Sequence, residues 1–120
     1  MIAWLSAFLL TELVETPIYM RALLERREQE DAAVFERWPP ALGVAFGASA
    51  ITHPIVWFVM PELIPGSWLT MVLVAESLAI AVEAAWLRAF GLRRALVWAV
   101  FANAASVVVG MGLRRIFGWP

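Results

Sequence analysis

The sequence predicts an all-α polytopic membrane protein, folded as an antiparallel bundle of four transmembrane helices. Three observations carry that reading. Hydrophobic residues make up 62% of the 120-residue chain and charged residues 16%, far from the balance of a soluble domain. The apolar residues gather into four runs, at residues 1–20, 39–60, 68–87 and 95–113. Each is near the ~20 residues needed to cross a ~30 Å hydrocarbon core. Every basic residue is an Arg that lies at the end of a run or between runs, and there is no Lys. The whole chain, 1–120, is expected to form one membrane domain.

The first run carries Glu12 and Glu15 and has neither a basic lead nor a small-residue cleavage pattern, so it is expected to stay in the membrane as a span. Residues 21–38 form a charged segment. Pairs four apart, Arg21 with Glu25 and Arg26 with Glu30, would suit a solvated continuation of the helix. Pro39 and Pro40 fit the first turn of the second span, where a missing N–H costs nothing. Within that span Pro54 should free the carbonyl of Ala50 and kink the helix near His53. Pro61, Pro65 and Gly66 then make a turn, and the third span follows with Glu76 and Glu83 inside it. Arg88, Gly91, Arg93 and Arg94 close that span, and the fourth runs to Arg114 and Arg115. No solenoid repeat or low-complexity stretch is visible.

Arginine asymmetry sets the expected orientation. Arg21, Arg26, Arg27 and Arg37 follow the first span and Arg88, Arg93 and Arg94 the third, whereas the turn between the second and third has none. Both rich segments are therefore expected in the cytoplasm and both termini outside, with Arg114 and Arg115 as the minority. Trp4, Trp38, Trp57, Trp68, Trp86, Trp98 and Trp119 lie near the span ends, as in interfacial belts. The formal net charge is −1; without the four acids inside spans, nine basic residues face six acidic ones. That surface suits a lipid bilayer and argues against nucleic acid. With no Cys, disulfides, thiolate metal sites and cysteine nucleophiles are excluded.

An acid at the centre of a membrane helix costs roughly 2.5–3.5 kcal/mol on insertion scales. Glu76 and Glu83 are seven residues apart and so share one helix face. Glu12, Glu15 and Tyr19 share a face in the first span, and Ser49, Thr52 and His53 do so in the second. In the fourth, Ala99, Asn103, Ser106 and Gly110 form a stripe, with Asn103 and Ser106 read as helix-packing contacts. Counting ~1.5 Å per residue puts His53 and Glu76 in an outer layer and Glu15, Glu83 and Asn103 in an inner one, with Glu12 between.

Three arrangements make such an interior tolerable: protons shared among the acids, a bound cation, or a small wet cavity. The leading expectation is cation binding, possible as a divalent metal (zinc, iron or manganese) or as shared protons, in the service of ion or proton movement. The metal version assigns Glu12, His53 and Glu76 as ligands. Glu15, Glu83, Asn103, Tyr19 and Thr52 then act around them or carry protons. The alternative is a non-catalytic structural or assembly subunit whose acids face partner helices. A homodimer or another membrane protein is the expected partner. No GxSxG, HExxH, ExxH or P-loop pattern occurs, which points away from an enzyme. An intramembrane enzyme with paired carboxyls as acid and base would need a lateral apolar cleft.

The motifs TELVETPIY, ITHPIVWF, AESLAIAVEA and ANAASVVVG together resemble a pattern in uncharacterised small bacterial four-span integral membrane proteins. The resemblance covers most of the chain and carries no activity. It implies a bacterial cytoplasmic (inner) membrane and draws attention to Glu12, Glu15, His53, Pro54, Glu76, Glu83 and Asn103.

Overall fold

The computed structural model describes residues 2–25 and 33–119. Its elements are α1 (Ile2–Leu24), α2 (Trp38–Pro54), a π-helical turn (Ile55–Val59), α3 (Met60–Leu63), α4 (Trp68–Ala89) and α5 (Ala95–Phe117). The described residues contain no strand. Four helical stretches are long and apolar enough to cross a membrane: Ile2–Leu24, Trp38–Leu63, Trp68–Ala89 and Ala95–Phe117. The structure is elongated, 48 × 28 × 21 Å, and its long dimension matches a bilayer of ~40–45 Å with headgroups.

Helix ends follow local chemistry. Pro39 and Pro40 sit in the first turn of α2, after Arg37 in extended conformation. The Pro54 kink takes a specific form: the helix widens into the π-helical turn directly after Pro54, then resumes as α3. A proline cannot donate to the carbonyl four residues back, and the inserted wide turn absorbs the break. The second stretch thus passes through Pro61 to Leu63, beyond the expected end. Between α4 and α5 the chain reverses in a tight turn. Gly91 takes φ +102°, and Leu92 N–H donates to the Leu87 carbonyl at 3.0 Å.

The expected helical continuation after Arg21 stops at Leu24; residues 33–37 are irregular, and Phe35 N–H donates to the Leu23 carbonyl at 3.1 Å. The Arg26–Glu30 pair lies outside the described residues. α1 packs on α2 and α5, and α4 packs on α5 and α2, so α1 and α4 stand on one diagonal. Small residues permit the close approach: a Cβ at Gly47 would lie 3.1 Å from Cζ2 of Trp86, whose Nε1 donates to the Val44 carbonyl at 2.9 Å.

The apolar core gathers around Tyr19, Leu23, Ala41, Ala45, Ala48, Leu87, Ala95 and Ala102. Most large apolar side chains instead point outward: Leu13, Leu73, Val97 and Val108 are exposed. Glu12, Glu15, Thr16, Ser49, Thr52, Glu83 and Asn103 are buried. Polar inside and apolar outside reverses the pattern of a water-soluble domain.

Candidate functional site

Two carboxylates on the diagonal helices organise the interior: Glu15 of α1 and Glu83 of α4, each 1% exposed. Ser49 and Thr52 on α2, and Asn103 and Ser106 on α5, are two i, i+3 pairs whose side chains face the same way. Each pair reaches both acids. Ser49 Oγ donates to Glu15 Oε2 at 2.5 Å and Ser106 Oγ to Glu15 Oε1 at 2.6 Å. Thr52 Oγ1 donates to Glu83 Oε1 at 2.7 Å and Asn103 Nδ2 to Glu83 Oε2 at 2.6 Å. Exchanging α1 and α2 for α4 and α5 leaves this pattern unchanged.

Tyr19 breaks the equivalence. Its hydroxyl donates to Glu83 Oε2 at 2.5 Å and accepts from Asn103 Nδ2 at 3.4 Å, while fully buried Leu87 holds the corresponding place in α4. These donors to Glu15 and Glu83 are all neutral. They satisfy the carboxyl oxygens without cancelling their charge, which leaves a proton or a cation to do so.

Two of the hydroxyls have a second acceptor within reach. Thr52 Oγ1 lies 3.2 Å from the Ser49 carbonyl, and Ser106 Oγ lies 3.0 Å from the Asn103 carbonyl. A hydroxyl carries one hydrogen and two lone pairs. Each can therefore donate to its carboxylate, or turn its hydrogen to the backbone and accept from a protonated carboxyl. The cradle fits both protonation states without moving a helix.

The remaining acids and His53 are placed differently. Glu12 accepts from Thr16 Oγ1 at 2.7 Å through Oε2, and its buried Oε1 has no partner among the described residues. His53 stacks at 5.4 Å on Phe8 and 6.2 Å on Trp4, and its buried Nε2 also lacks a partner there. Glu76 is half-buried. A cavity of about 210 Å³ runs past Glu15, Glu83, Asn103 and Ser106 to His53 and Glu76, so the two depth layers share one space. Its polar walls have room for several waters.

The structure thus brings Glu15, Glu83, Asn103, Tyr19 and Thr52 into one cluster. Of the ligands expected for a metal, His53 and Glu76 line the cavity and Glu12 does not, and no metal-binding group of three His, Asp or Glu appears among the described residues. Carboxylate and imidazole remain the donor types available to a metal along the cavity.

Ser49 and Ser106 matter more than their sequence context suggested. The signal that marks them is an internal likeness: ALGVAFGASAIT at 41–52 against ALVWAVFANAAS at 95–106. Identities fall at Ala41/Ala95, Leu42/Leu96, Ala45/Ala99, Ala48/Ala102 and Ala50/Ala104, and the likeness aligns Ser49 with Asn103 and Thr52 with Ser106. Comparison with protein-family models, curated proteins and solved structures gives no match.

Proposed function

We propose that the chain is a multi-pass protein of a bacterial cytoplasmic membrane. Its spans form an antiparallel bundle with both termini outside, and the Glu15–Glu83 pair binds and releases protons as part of proton or ion movement. The observation that carries this is the switchable hydroxyls: Thr52 and Ser106 each reach a carboxylate and a backbone carbonyl, so a proton can come and go at little structural cost. The polar cavity supplies a route from the pair toward His53 and Glu76.

The assembly-subunit alternative calls for Glu76 or Glu83 to face outward. Glu83 is 1% exposed and half-buried Glu76 lines the cavity, which favours an internal site. The outward apolar faces serve lipid or a second copy of the chain alike.

Proton flux into sealed proteoliposomes, followed with an entrapped pH dye under an imposed potential, tests the proposal. Wild type is expected to conduct above empty vesicles, and Glu15→Gln and Glu83→Gln to lower the rate at least about tenfold, a barrier change of ~1.4 kcal/mol. Wild-type flux equal to that of empty vesicles overturns proton movement. Near-stoichiometric metal in the purified protein, lost in both His53→Ala and Glu76→Gln, would instead support the divalent-metal version.

A further inference from the structure

Glu76 differs from the other acids inside the spans. Glu15 and Glu83 accept hydrogen bonds at both oxygens and Glu12 at one. Glu76 accepts none from the described residues, although it lies eight residues into α4, ~12 Å along the helix from Trp68. Glu76 lines two spaces. One is the polar cavity; the other is a cleft of about 500 Å³ between the π-helical turn, α4 and the end of α5.

The cleft is apolar except at two points. Trp57, Trp68, Met71 and Val72 supply its walls together with half-buried Glu76, and exposed Arg114 is at the end of α5. The turn that carries Trp57 exists because Pro54 interrupts the helix before it. Arg114 can carry its guanidinium away on a long stem. Glu76, on a short side chain inside the span, has no such escape. A carboxylate without a partner beneath aromatic walls complements a positive charge on an apolar body: the anion meets the charge and indole faces attract cations within ~6 Å.

We propose that this cleft binds hydrophobic organic cations, with Glu76 as counter-charge and Trp57 and Trp68 as its aromatic walls. This goes beyond the proton-binding reading and does not depend on it, because Glu15 and Glu83 do not line the cleft and Glu76 takes no part in their hydrogen bonds.

Equilibrium dialysis of tetraphenylphosphonium against the full chain in nanodiscs tests the proposal, with empty nanodiscs as background and tetraphenylborate as a probe of similar shape and opposite charge. Saturable cation binding is expected at one site per chain. Glu76→Gln should weaken it at least about tenfold, or ~1.4 kcal/mol. Glu76→Asp should retain it within about threefold, because the charge persists. Glu36→Gln, at an exposed acid just before α2 that does not line the cleft, should leave it unchanged. Circular dichroism and gel filtration establish that the variants are folded, and Glu76→Asp keeps the test decisive should Glu76→Gln misfold. Equal cation binding by wild type and folded Glu76→Gln overturns the proposal, as do binding no greater than empty nanodiscs or stronger binding of tetraphenylborate.

Discussion

Tyr19 is the residue that distinguishes the two carboxylates. Its hydroxyl gives Glu83 a donor that Glu15 lacks, in a place where α4 has only Leu87. Tyr19→Phe therefore removes one bond from a buried oxygen, at a cost of about 1–3 kcal/mol. Unfolding in mixed micelles should show that loss in wild type and a smaller one on a Glu83→Gln background, because the two side chains interact. Equal losses on both backgrounds would show that the Tyr19 hydroxyl does not act through Glu83. The acids of this cluster were legible in the sequence because a carboxylate in an apolar run is costly and conspicuous. Ser49 and Ser106 were harder to read, since a lone hydroxyl barely alters hydropathy and is common at helix contacts. Their role depends on which carboxylate stands opposite, and that is a property of packing.

At the scale of the element, hydropathy located the four long apolar helical stretches but not their ends. It registers the width of a hydrocarbon layer, whereas a helix continues through Arg114 and Arg115 to Phe117 because arginine is a good helix former. Pro54 announced a break, but whether a helix answers with a bend or a wide turn is decided by packing after the proline. The π-helical turn makes its own prediction. Pro54→Ala restores an N–H for the Ala50 carbonyl and should let Ile55–Val59 close to an α-helix. Everything beyond it would then rotate by about 100°. The chain has no native Cys, so single cysteines at 57–63 can be labelled cleanly with a lipid-soluble maleimide. The accessible pattern should move by one position in Pro54→Ala; an unchanged pattern would mean that the wide turn is imposed by its neighbours.

The whole molecule places polar groups inward and apolar groups outward, in a bundle whose halves share one hydrogen-bond scheme. That equivalence is visible in sequence between α2 and α5, whose aligned pairs Ala41/Ala95, Ala45/Ala99 and Ala48/Ala102 are buried. Between α1 and α4, aligning Glu15 with Glu83 also matches Leu5/Leu73, Ala7/Ala75, Leu10/Leu78 and Val14/Val82, and it sets fully buried Tyr19 against fully buried Leu87. An arrangement that offers each acid neutral donors able to reverse their bonds is suited to carboxyls that gain and lose protons. Infrared difference spectroscopy of the reconstituted protein, with glutamate carboxyls labelled with carbon-13, reads that property directly. The account predicts a protonated-carboxyl stretch at neutral pH that changes reversibly as pH is stepped, weakens in Glu15→Gln or Glu83→Gln, and loses its changing component when both are replaced. A spectrum in which Glu15 and Glu83 remain ionised at every pH, with no band lost in the double variant, would contradict it.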